Sequence, residues 1–236
     1  MAQAGIHGIV GLAVRQWTPR KRWLMVGIVL GNLAPDLDNL AVAAASLIGG
    51  STEGLHRTFT HSLFTAAGIT ILGYLVAWLT KRRRWGNLGL GLAIGMLMHI
   101  ALDLVIWFNG VQILWPLPWW INFWGAIQLP EWWDQLIMPA EFLFFALFFY
   151  GLGVMARQSR TDLNFQGRLR FWTIVQGALF IVFSVLALVM TAGFMIVYGA
   201  VYLLSLFLAA GITIRMRQTL EARPQPAARP RERGAT

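Results

Sequence analysis

Long apolar runs separated by short basic segments dominate the sequence. A helix needs about 20 apolar residues to cross a bilayer, and runs of that length occupy residues 61–80, 86–108, 135–156, 171–191 and 194–214. The run 23–48 is also long enough but is interrupted, and residues 2–14 form an apolar stretch too short to span. The pattern predicts an all-α fold: a polytopic membrane helical bundle with about six spanning segments and a short N-terminal apolar helix.

The interrupted run carries the sequence PDLD near its centre. Pro35 lacks a backbone donor and disfavours helix at the preceding residue, so we expect a broken helix with Asp36 and Asp38 at the break. Such backbone is tolerated at membrane depth only where it is buried in protein or lines a wet cavity. In a continuous helix the two carboxylates would diverge by about 200°. We therefore expect Asp36 as a metal ligand and Asp38 as a supporting residue, a catalytic base or a ligand of a second ion.

Composition agrees with a membrane protein. The chain is 57% hydrophobic and 12% charged, whereas soluble domains are about 45–50% apolar and about 25% charged. The net charge of +9 does not indicate a nucleic-acid partner, because basic residues in membrane proteins mark cytoplasmic loops. All basic residues except Arg57 fall in four groups, at residues 15–22, 81–84, 157–170 and 215–233. The predicted spans put these groups on one side, which the positive-inside rule makes cytoplasmic, so Arg57 is expected to face outward.

Ionisable side chains interrupt the apolar runs at His7, Asp36, Asp38, His99, Asp103 and Glu141. A carboxylate at the bilayer centre costs about 2.5–3.5 kcal/mol even on the lenient insertion scale, so such residues are candidates for a functional site. At 1.5 Å per residue, Asp36, His99 and Glu141 lie roughly 21–24 Å above their nearest basic end, and His61 lies roughly 30 Å above its own. His7 is placed at only about 12 Å, unless its helix runs on towards Lys21. Most of these residues are therefore expected to meet in the outer third of the bilayer.

The HIALD motif places His99 and Asp103 one helical turn apart on the same face. Such a pair binds a metal ion or forms a hydrogen bond that ties helices together. Alone, His7 is typical of a packed or interfacial histidine, and Glu141 of an interhelical hydrogen bond. Because both share the outer end of the bundle with HIALD, we count them among the expected metal ligands.

The GLHRTFTHS segment carries His56, Arg57 and His61. Two histidines five residues apart do not share a helix face, so the loop must fold one of them back. Arg57 suits an anionic substrate group, because a guanidinium pairs with phosphate in a bidentate manner; the alternative is an anchor to lipid headgroups. Thr60 and Ser62 are expected to be helix caps, with Thr60 at the N-cap of the span 61–80.

The chain contains no cysteine, so a metal ion must be held by histidine and carboxylate, which excludes Cys-rich zinc and iron–sulfur sites. An HExxH sequence is also absent, which disfavours a zinc protease.

Together the motifs resemble the LexA-regulated, inner-membrane-associated family of metal-dependent hydrolases. The matching residues are His7 in IHGIVG, Asp36 and Asp38 in PDLD, His56, Arg57, His61 and Ser62 in HRTFTHS, and His99 and Asp103 in HIALD. The ILWPL stretch also matches, and Glu141 is the loosest match. Two positions depart from the family pattern: Ile6 stands where the family usually has Thr, and Thr58 where it usually has Gly. The resemblance covers residues 1–150 and implies an integral membrane metal-dependent hydrolase. The His-x-x-x-Asp pairing is also similar to that of zinc-dependent phospholipases C.

We therefore expect a hydrolase that uses one or two divalent ions, zinc first and manganese or magnesium as alternatives. The expected metal ligands are His7, Asp36, His61, His99, Asp103 and Glu141, and the expected catalytic residues are Asp38, His56 and Arg57. A metal ion lowers the pKa of bound water to near neutrality. The depth of the site and Arg57 suggest a membrane lipid or lipid-linked phosphoester as substrate. The alternative is a non-enzymatic metal-binding membrane protein: a carrier, sensor or scaffold.

The chain divides into a membrane-embedded hydrolase domain at residues 1–156, a C-terminal transmembrane hairpin at 157–214 and a basic, disordered cytoplasmic tail at 215–236. The hairpin contains no ionisable residue from 171 to 214, which disfavours a carrier because a transported ion needs a polar path. The expected location is a bacterial-type inner membrane, with the site facing outward. The N-terminus lacks a basic n-region, so no cleaved signal peptide is expected.

Overall fold

The computed structural model describes residues 3–107, 110–125, 127, 130–190 and 192–222. Its helices are α1 (Ala4–Ala13), α2 (Leu24–Leu33), α3 (Asn39–Leu47), α4 (Leu63–Thr80), α5 (Arg84–Ile106), α6 (Glu131–Ser159), α7 (Gln166–Val189), α8 (Phe194–Arg215) and α9 (Arg217–Glu221). Within this described part of the chain, β structure is limited to one antiparallel bridge between Val111 and Ile121. The predicted all-α class is confirmed.

Five helical stretches are long and apolar enough to cross a membrane: Leu63–Thr80, Arg84–Ile106, Ile137–Ser159, Leu163–Val189 and Phe194–Arg215. Helix α2 is shorter, and a 3-10 turn at Pro35–Asp38 separates it from α3, as Pro35 predicts. These three pieces form the broken sixth crossing, so the predicted bundle is confirmed. Helix α7 begins at Gln166, inside the predicted basic loop, and the guanidinium of Arg168 in its first turn lies over the ring of Phe165.

Helices α2 and α5 are in backbone contact along a stripe of glycines. The stripe consists of Gly27 and Gly31 on α2 and Gly91 and Gly95 on α5. A Cβ at Gly31 would lie 2.1 Å from the carbonyl oxygen of Leu92, and a Cβ at Gly95 would lie 2.2 Å from that of Ile28. Small residues at membrane helix interfaces allow this close approach. The glycine stripe therefore fixes where α5 presents His99, one turn beyond Gly95.

Helix α1 is buried although it is too short to span. It lies against α6, where a Cβ at Gly5 would be 2.7 Å from Phe144 Cβ and 2.8 Å from Phe145 N. Ala4 and His7 have no exposed surface. This packing carries His7 into the interior of the bundle.

The C-terminal hairpin of α7 and α8 packs on the aromatic face of α6. Phe142 is fully buried, and its ring centroid lies 4.8 Å from that of Phe183 on α7 and 5.6 Å from that of Tyr198 on α8. These contacts hold α7 and α8 against α6, and α8 also packs against α2 and α3.

The described members of the four basic groups lie at one end of the bundle. Arg15 donates from Nε to the carbonyl oxygen of Leu220 at 3.2 Å and from Nη2 to Ser159 Oγ at 2.6 Å. Asn87 donates to the carbonyl oxygen of Arg22 at 3.1 Å. These bonds join the segment between α1 and α2 to α5, α6 and the C-terminal segment. The predicted gathering of the basic groups at one end agrees with this geometry.

The predicted N-cap of α4 is wrong. Helix α4 begins at Leu63, and Ser62 is its cap, because Ser62 Oγ accepts a hydrogen bond from Phe64 N at 3.2 Å. The hydroxyl of Thr60 is instead donated to Asp38 Oδ2 at 2.9 Å, so it is not available to cap a helix.

The disordered tail predicted from residue 215 is wrong for residues 215–222. Helix α8 continues to Arg215, and α9 follows with Thr219 and Leu220 buried. The segment is ordered because Asp162 Oδ2 accepts from Thr219 N at 3.1 Å and Leu220 packs into the core. Residues 223–236 of the predicted tail lie outside the described residues.

Candidate metal centre

Histidines and aspartates from four segments meet in one buried cluster, at the end of the bundle away from the basic groups. The members are His7 of α1, Asp36 of the turn before α3, His61 of the turn before α4, and His99 and Asp103 of α5, and each exposes 2% of its surface or less. We call these five residues the His/Asp cluster. All were expected metal ligands, and the structure brings them together.

Asp103 is in contact with all three histidines of the cluster. Its Oδ1 lies 3.1 Å from His7 Nε2, and its Oδ2 lies 3.5 Å from His61 Nε2 and 3.7 Å from His99 Nε2. The rings of His7 and His99 stack with centroids 3.6 Å apart. One carboxylate therefore organises side chains from three separate segments.

The Nε2 atoms of His99 and His61 face each other. They are 3.2 Å apart. His99 Nδ1 donates to the carbonyl oxygen of Asn32 at 2.8 Å, which fixes the tautomer and leaves the lone pair of Nε2 directed at His61. His61 Nε2 faces that lone pair, so the arrangement suits either a proton carried by His61 or a cation between the two nitrogens. A second bond that orients the ring is typical of metal-binding histidines.

Asp36 is buried without a hydrogen bond to any described residue. Both of its carboxylate oxygens are inaccessible and unpartnered, and Oδ1 lies 3.7 Å from His99 Nε2. A buried carboxylate is costly unless it is paired or coordinates a metal. Asp36 is therefore the residue of the cluster whose surroundings most clearly call for a cation or a retained proton.

Three groups of side chains have ligand atoms that all lie within 4.8 Å of one another: His7 with His99 and Asp103, Asp36 with His61 and His99, and Asp36 with Asp38 and His56. The first two share His99, and the last two share Asp36. Imidazole nitrogens and carboxylate oxygens together suit zinc and other first-row divalent ions. The residues present fit one ion, and the third group offers a place for a second.

Asp38 does not point into the His/Asp cluster but holds the GLHRTFTHS loop (residues 54–62) in place. Its Oδ2 accepts from Arg57 N at 3.0 Å and from Thr60 Oγ1 at 2.9 Å. The same oxygen lies 3.4 Å from His61 Nδ1. Asp38 and Asp36 thus diverge at the break, with Asp36 among the ligands and Asp38 behind His61.

His56 forms a pair with Asp38 at the edge of the cluster. His56 Nδ1 donates to Asp38 Oδ1 at 2.7 Å, and His56 Nε2 is buried with no hydrogen-bond partner in the described part of the protein. Burial lowers the pKa of His56 below its usual value, although Asp38 opposes this shift. Burial also lowers the pKa of His61, but Asp103 and Asp38 outweigh it and raise the pKa to about 9.

Arg57 lies inside the protein, with 3% of its surface exposed. Its Nε is 3.5 Å from Asp103 Oδ2. Its backbone adopts φ of 61°, a conformation that few residues other than glycine adopt, and Asp38 and Gln112 hold it there through bonds to Arg57 N and Arg57 O. This burial beside Asp103 argues against an anchor to lipid headgroups.

The segment after α5 that contains Ile113 and Trp115 also holds the GLHRTFTHS loop in place. Leu63 N donates to the carbonyl oxygen of Ile113 at 2.8 Å, and Ser62 Oγ donates to that of Trp115 at 3.0 Å. Residue types in the sequence did not reveal these contacts, because they run through backbone carbonyls that any residue supplies.

Glu141 lies in the same buried region but makes different contacts from the cluster. Its Oε1 accepts from Gly5 N at 2.9 Å, and its Oε2 is buried without a described partner. It belongs to none of the three ligand groups found among the described residues. Its observed role is to fasten α1, which carries His7, to α6.

Two contributors to the site carried little signal in the sequence. Asn32 acts through its backbone carbonyl, which no residue type reveals. Thr60 acts through a hydroxyl that bridges Asp38 Oδ2 at 2.9 Å and His61 Nδ1 at 3.0 Å. The position of Thr60 beside His61 was visible, but threonine before a helix is usually a cap.

The fold and the cluster define a multi-pass membrane protein with His and Asp residues that could hold a metal ion. The sequence model of the YdjM inner membrane protein family matches residues 3–218, and the chain belongs to this family. Neither a curated protein nor a solved structure matches the chain. The predicted multi-pass inner-membrane location is confirmed at this level.

Proposed function

We propose that the protein is a metal-dependent hydrolase that acts on a phosphoester of a membrane lipid or lipid-linked molecule at the outer face of the membrane. The observation that carries the proposal is the position of a histidine–aspartate pair, His56 and Asp38, directly beside a buried set of metal ligands. The outward orientation rests on the positive-inside rule, applied to the end where the basic groups meet.

The residues proposed to hold the ion are Asp36, His61, His99 and Asp103, with His7 stacked on His99. When bound, a divalent ion supplies Lewis-acid chemistry: it makes water more acidic and neutralises charge on a phosphoryl oxygen. The cluster still favours a cation, since Asp36 and Asp103 are both buried carboxylates and Arg57 offsets the charge of only one of them.

His56 is the proposed general base. Its Nδ1–H is donated to Asp38 Oδ1 at 2.7 Å, so Nε2 is the ring atom that can accept a proton from water. Asp38 holds the tautomer and stabilises the imidazolium that forms, as an aspartate does behind the histidine of a catalytic triad. This arrangement assigns Asp38 a positioning role rather than the role of base.

Arg57 is proposed to bind the phosphate. Its Nε already lies 3.5 Å from Asp103 Oδ2, which places its guanidinium next to the ligands. A guanidinium offers five N–H donors in a planar fork that matches phosphate.

The direct test is to purify the protein, determine its bound metal and assay it against phosphodiester lipids, phosphomonoesters, carboxylic esters and amides of similar length. We expect a phosphoester to be cleaved in a reaction that a chelator abolishes and zinc or manganese restores. Cleavage of an ester or amide alone would overturn the phosphoester assignment.

A non-enzymatic metal-binding role is the second candidate, and the near-complete burial of all five cluster residues favours it. A sensor or scaffold needs no substrate access, whereas an enzyme of this geometry must open the GLHRTFTHS loop. A protein that binds one equivalent of metal, loses it in His99→Gln and hydrolyses none of the four substrate classes would support this role.

A further inference from the structure

A second candidate binding site lies at the basic end of the bundle. A cavity of about 390 Å³ opens there between the α1–α2 connection, the end of α6 and α9. Its lining includes Arg15, Arg20 and Lys21, the carboxylate Glu221, and the apolar side chains of Leu12 and Met155. Its lining contains no residue of the His/Asp cluster.

Arg15 is fixed in the wall of this cavity. Its Nε donates to the carbonyl oxygen of Leu220 at 3.2 Å, and its Nη2 donates to Ser159 Oγ at 2.6 Å and to the carbonyl oxygen of Ala222 at 2.7 Å. These bonds use Nε and Nη2, and Nη1 carries two further N–H donors. The guanidinium is thus held in position by the protein while it retains donors for a ligand.

The charge of the cavity is positive. Arg20 and Lys21 are exposed at its rim. Glu221, the lining carboxylate, accepts a hydrogen bond from Trp23 N through Oε1, so it is engaged in holding the start of α2. The apolar part of the lining borders membrane-spanning α6, so a ligand with both a phosphate and a hydrocarbon part would match both kinds of surface.

We propose that this cavity binds the phosphate-bearing headgroup of an anionic phospholipid. Basic pockets between membrane helices at the cytoplasmic side bind such headgroups, and the position of Arg15, Arg20 and Lys21 at the basic end of the spans puts their charges at headgroup level. A soluble phosphate ion shares the same chemistry. The site is independent of the proposed hydrolase, because it lies at the opposite end of the bundle from His61.

The test uses the full-length protein purified in detergent. It is titrated with short-chain phosphatidylglycerol and, separately, with phosphatidylcholine of the same chain length, and native mass spectrometry counts the intact lipids bound. The test variant is Arg20→Gln/Lys21→Gln, chosen because both side chains are exposed. The matched control is Arg82→Gln/Arg83→Gln, which removes the same charge from another exposed turn at the basic end.

We expect phosphatidylglycerol to bind in preference to phosphatidylcholine and to raise the melting temperature. The test variant should weaken its binding roughly 30-fold, because each basic residue contributes about 1 kcal/mol, and the control variant should change it less than twofold. Inorganic phosphate in millimolar excess should not displace the lipid; displacement would identify a soluble phosphate as the ligand. Equal binding of both lipids, or an equal loss in both variants, would overturn the proposal.

Discussion

Asp38 supports His61 from the side of the imidazole that faces away from the other candidate metal ligands. Asp38 Oδ2 lies 3.4 Å from His61 Nδ1, while His61 Nε2 faces His99 Nε2 at 3.2 Å. A carboxylate behind a metal-binding histidine fixes its tautomer and makes it a better ligand. Of the two aspartates in PDLD, Asp36 is thus a ligand candidate within the His/Asp cluster, and Asp38 orients another candidate, His61.

Asp38→Asn should weaken metal binding without abolishing it. The amide keeps the size of the side chain but loses the negative charge behind His61, and loss of such a partner typically costs 10–100-fold in metal affinity. Competition with a chromophoric chelator measures this. Glu53→Gln, at an exposed position just before the GLHRTFTHS loop, is the matched control and should bind metal normally. An unchanged affinity in Asp38→Asn would show that Asp38 does not orient His61.

His99→Gln and His56→Gln should separate metal binding from catalysis. His99→Gln removes the Nε2 ligand shared by two of the candidate groups, so metal content should fall to background. His56→Gln should keep the metal and lower kcat by about 10²–10⁴-fold, as expected for the loss of a general base. Elemental analysis and a phosphoester assay on the same samples distinguish the two. Loss of metal in His56→Gln would instead identify His56 as a ligand of an ion.

Arg57→Lys should lower phosphoester hydrolysis while the metal remains bound. Lysine keeps the positive charge beside Asp103 but lacks the planar fork that binds phosphate in a bidentate manner. Both residues carry a Cβ, so the cost of φ at 61° is unchanged. We expect the KM for phosphate substrates to rise more than a loss of folding stability alone could account for. An unaltered KM would argue that Arg57 serves only Asp103.

Gly95→Ala should destabilise the bundle and disturb the metal site together. The new Cβ would lie 2.2 Å from the carbonyl oxygen of Ile28, so α2 and α5 must separate, and overpacking of this kind costs about 1–3 kcal/mol. Thermal unfolding in detergent and metal content are the readouts. Gly211→Ala meets open space and serves as the control, with unchanged or slightly increased stability since alanine favours helix.

Gly68→Leu should impair hydrolysis of lipid substrates only. An apolar groove of about 360 Å³ beside the site is lined by Gly68 of α4, Phe59 and Trp115, and Phe59 lies two residues before His61. A Cβ at Gly68 meets open space, so we expect a leucine side chain there to enter the groove. We expect a higher KM for a long-chain lipid and normal cleavage of a short water-soluble phosphoester. The control is Gly199→Leu, which occupies the separate cleft between α3 and α8; a larger effect there would place lipid entry on that side.

The sequence predicted the bundle and the convergence of ligands because membrane helices follow simple rules. The length of an apolar run determines whether a helix can span the membrane, and ionisable residues inside such a run are costly to bury and therefore mark a functional site. Depth estimated from helix rise placed Asp36 and His99 at the same level, and His99 Nε2 does lie 3.7 Å from Asp36 Oδ1. That estimate works where a straight helix connects a basic end to a ligand.

The same estimate was wrong for His7. It put His7 about 10 Å below His99, yet the two rings stack at 3.6 Å. The estimate assumes that all basic residues mark one depth, but Arg15 reaches into the bundle to bond with Ser159 and Leu220. An anchor that is itself partly buried cannot serve as a depth marker. Tertiary contacts of this kind leave no trace in hydrophobic periodicity.

The glycine stripe between α2 and α5 has a consequence for the choice of ion. Zinc bonds to nitrogen and oxygen ligands at about 2.0–2.2 Å, whereas calcium needs about 2.3–2.6 Å. Asp36 follows α2 directly and His99 belongs to α5, so a larger ion would have to spread two backbones whose spacing is set by Gly31 and Gly95. We therefore expect the fixed spacing of α2 and α5 to exclude calcium because of its size, although carboxylate oxygens alone would bind calcium.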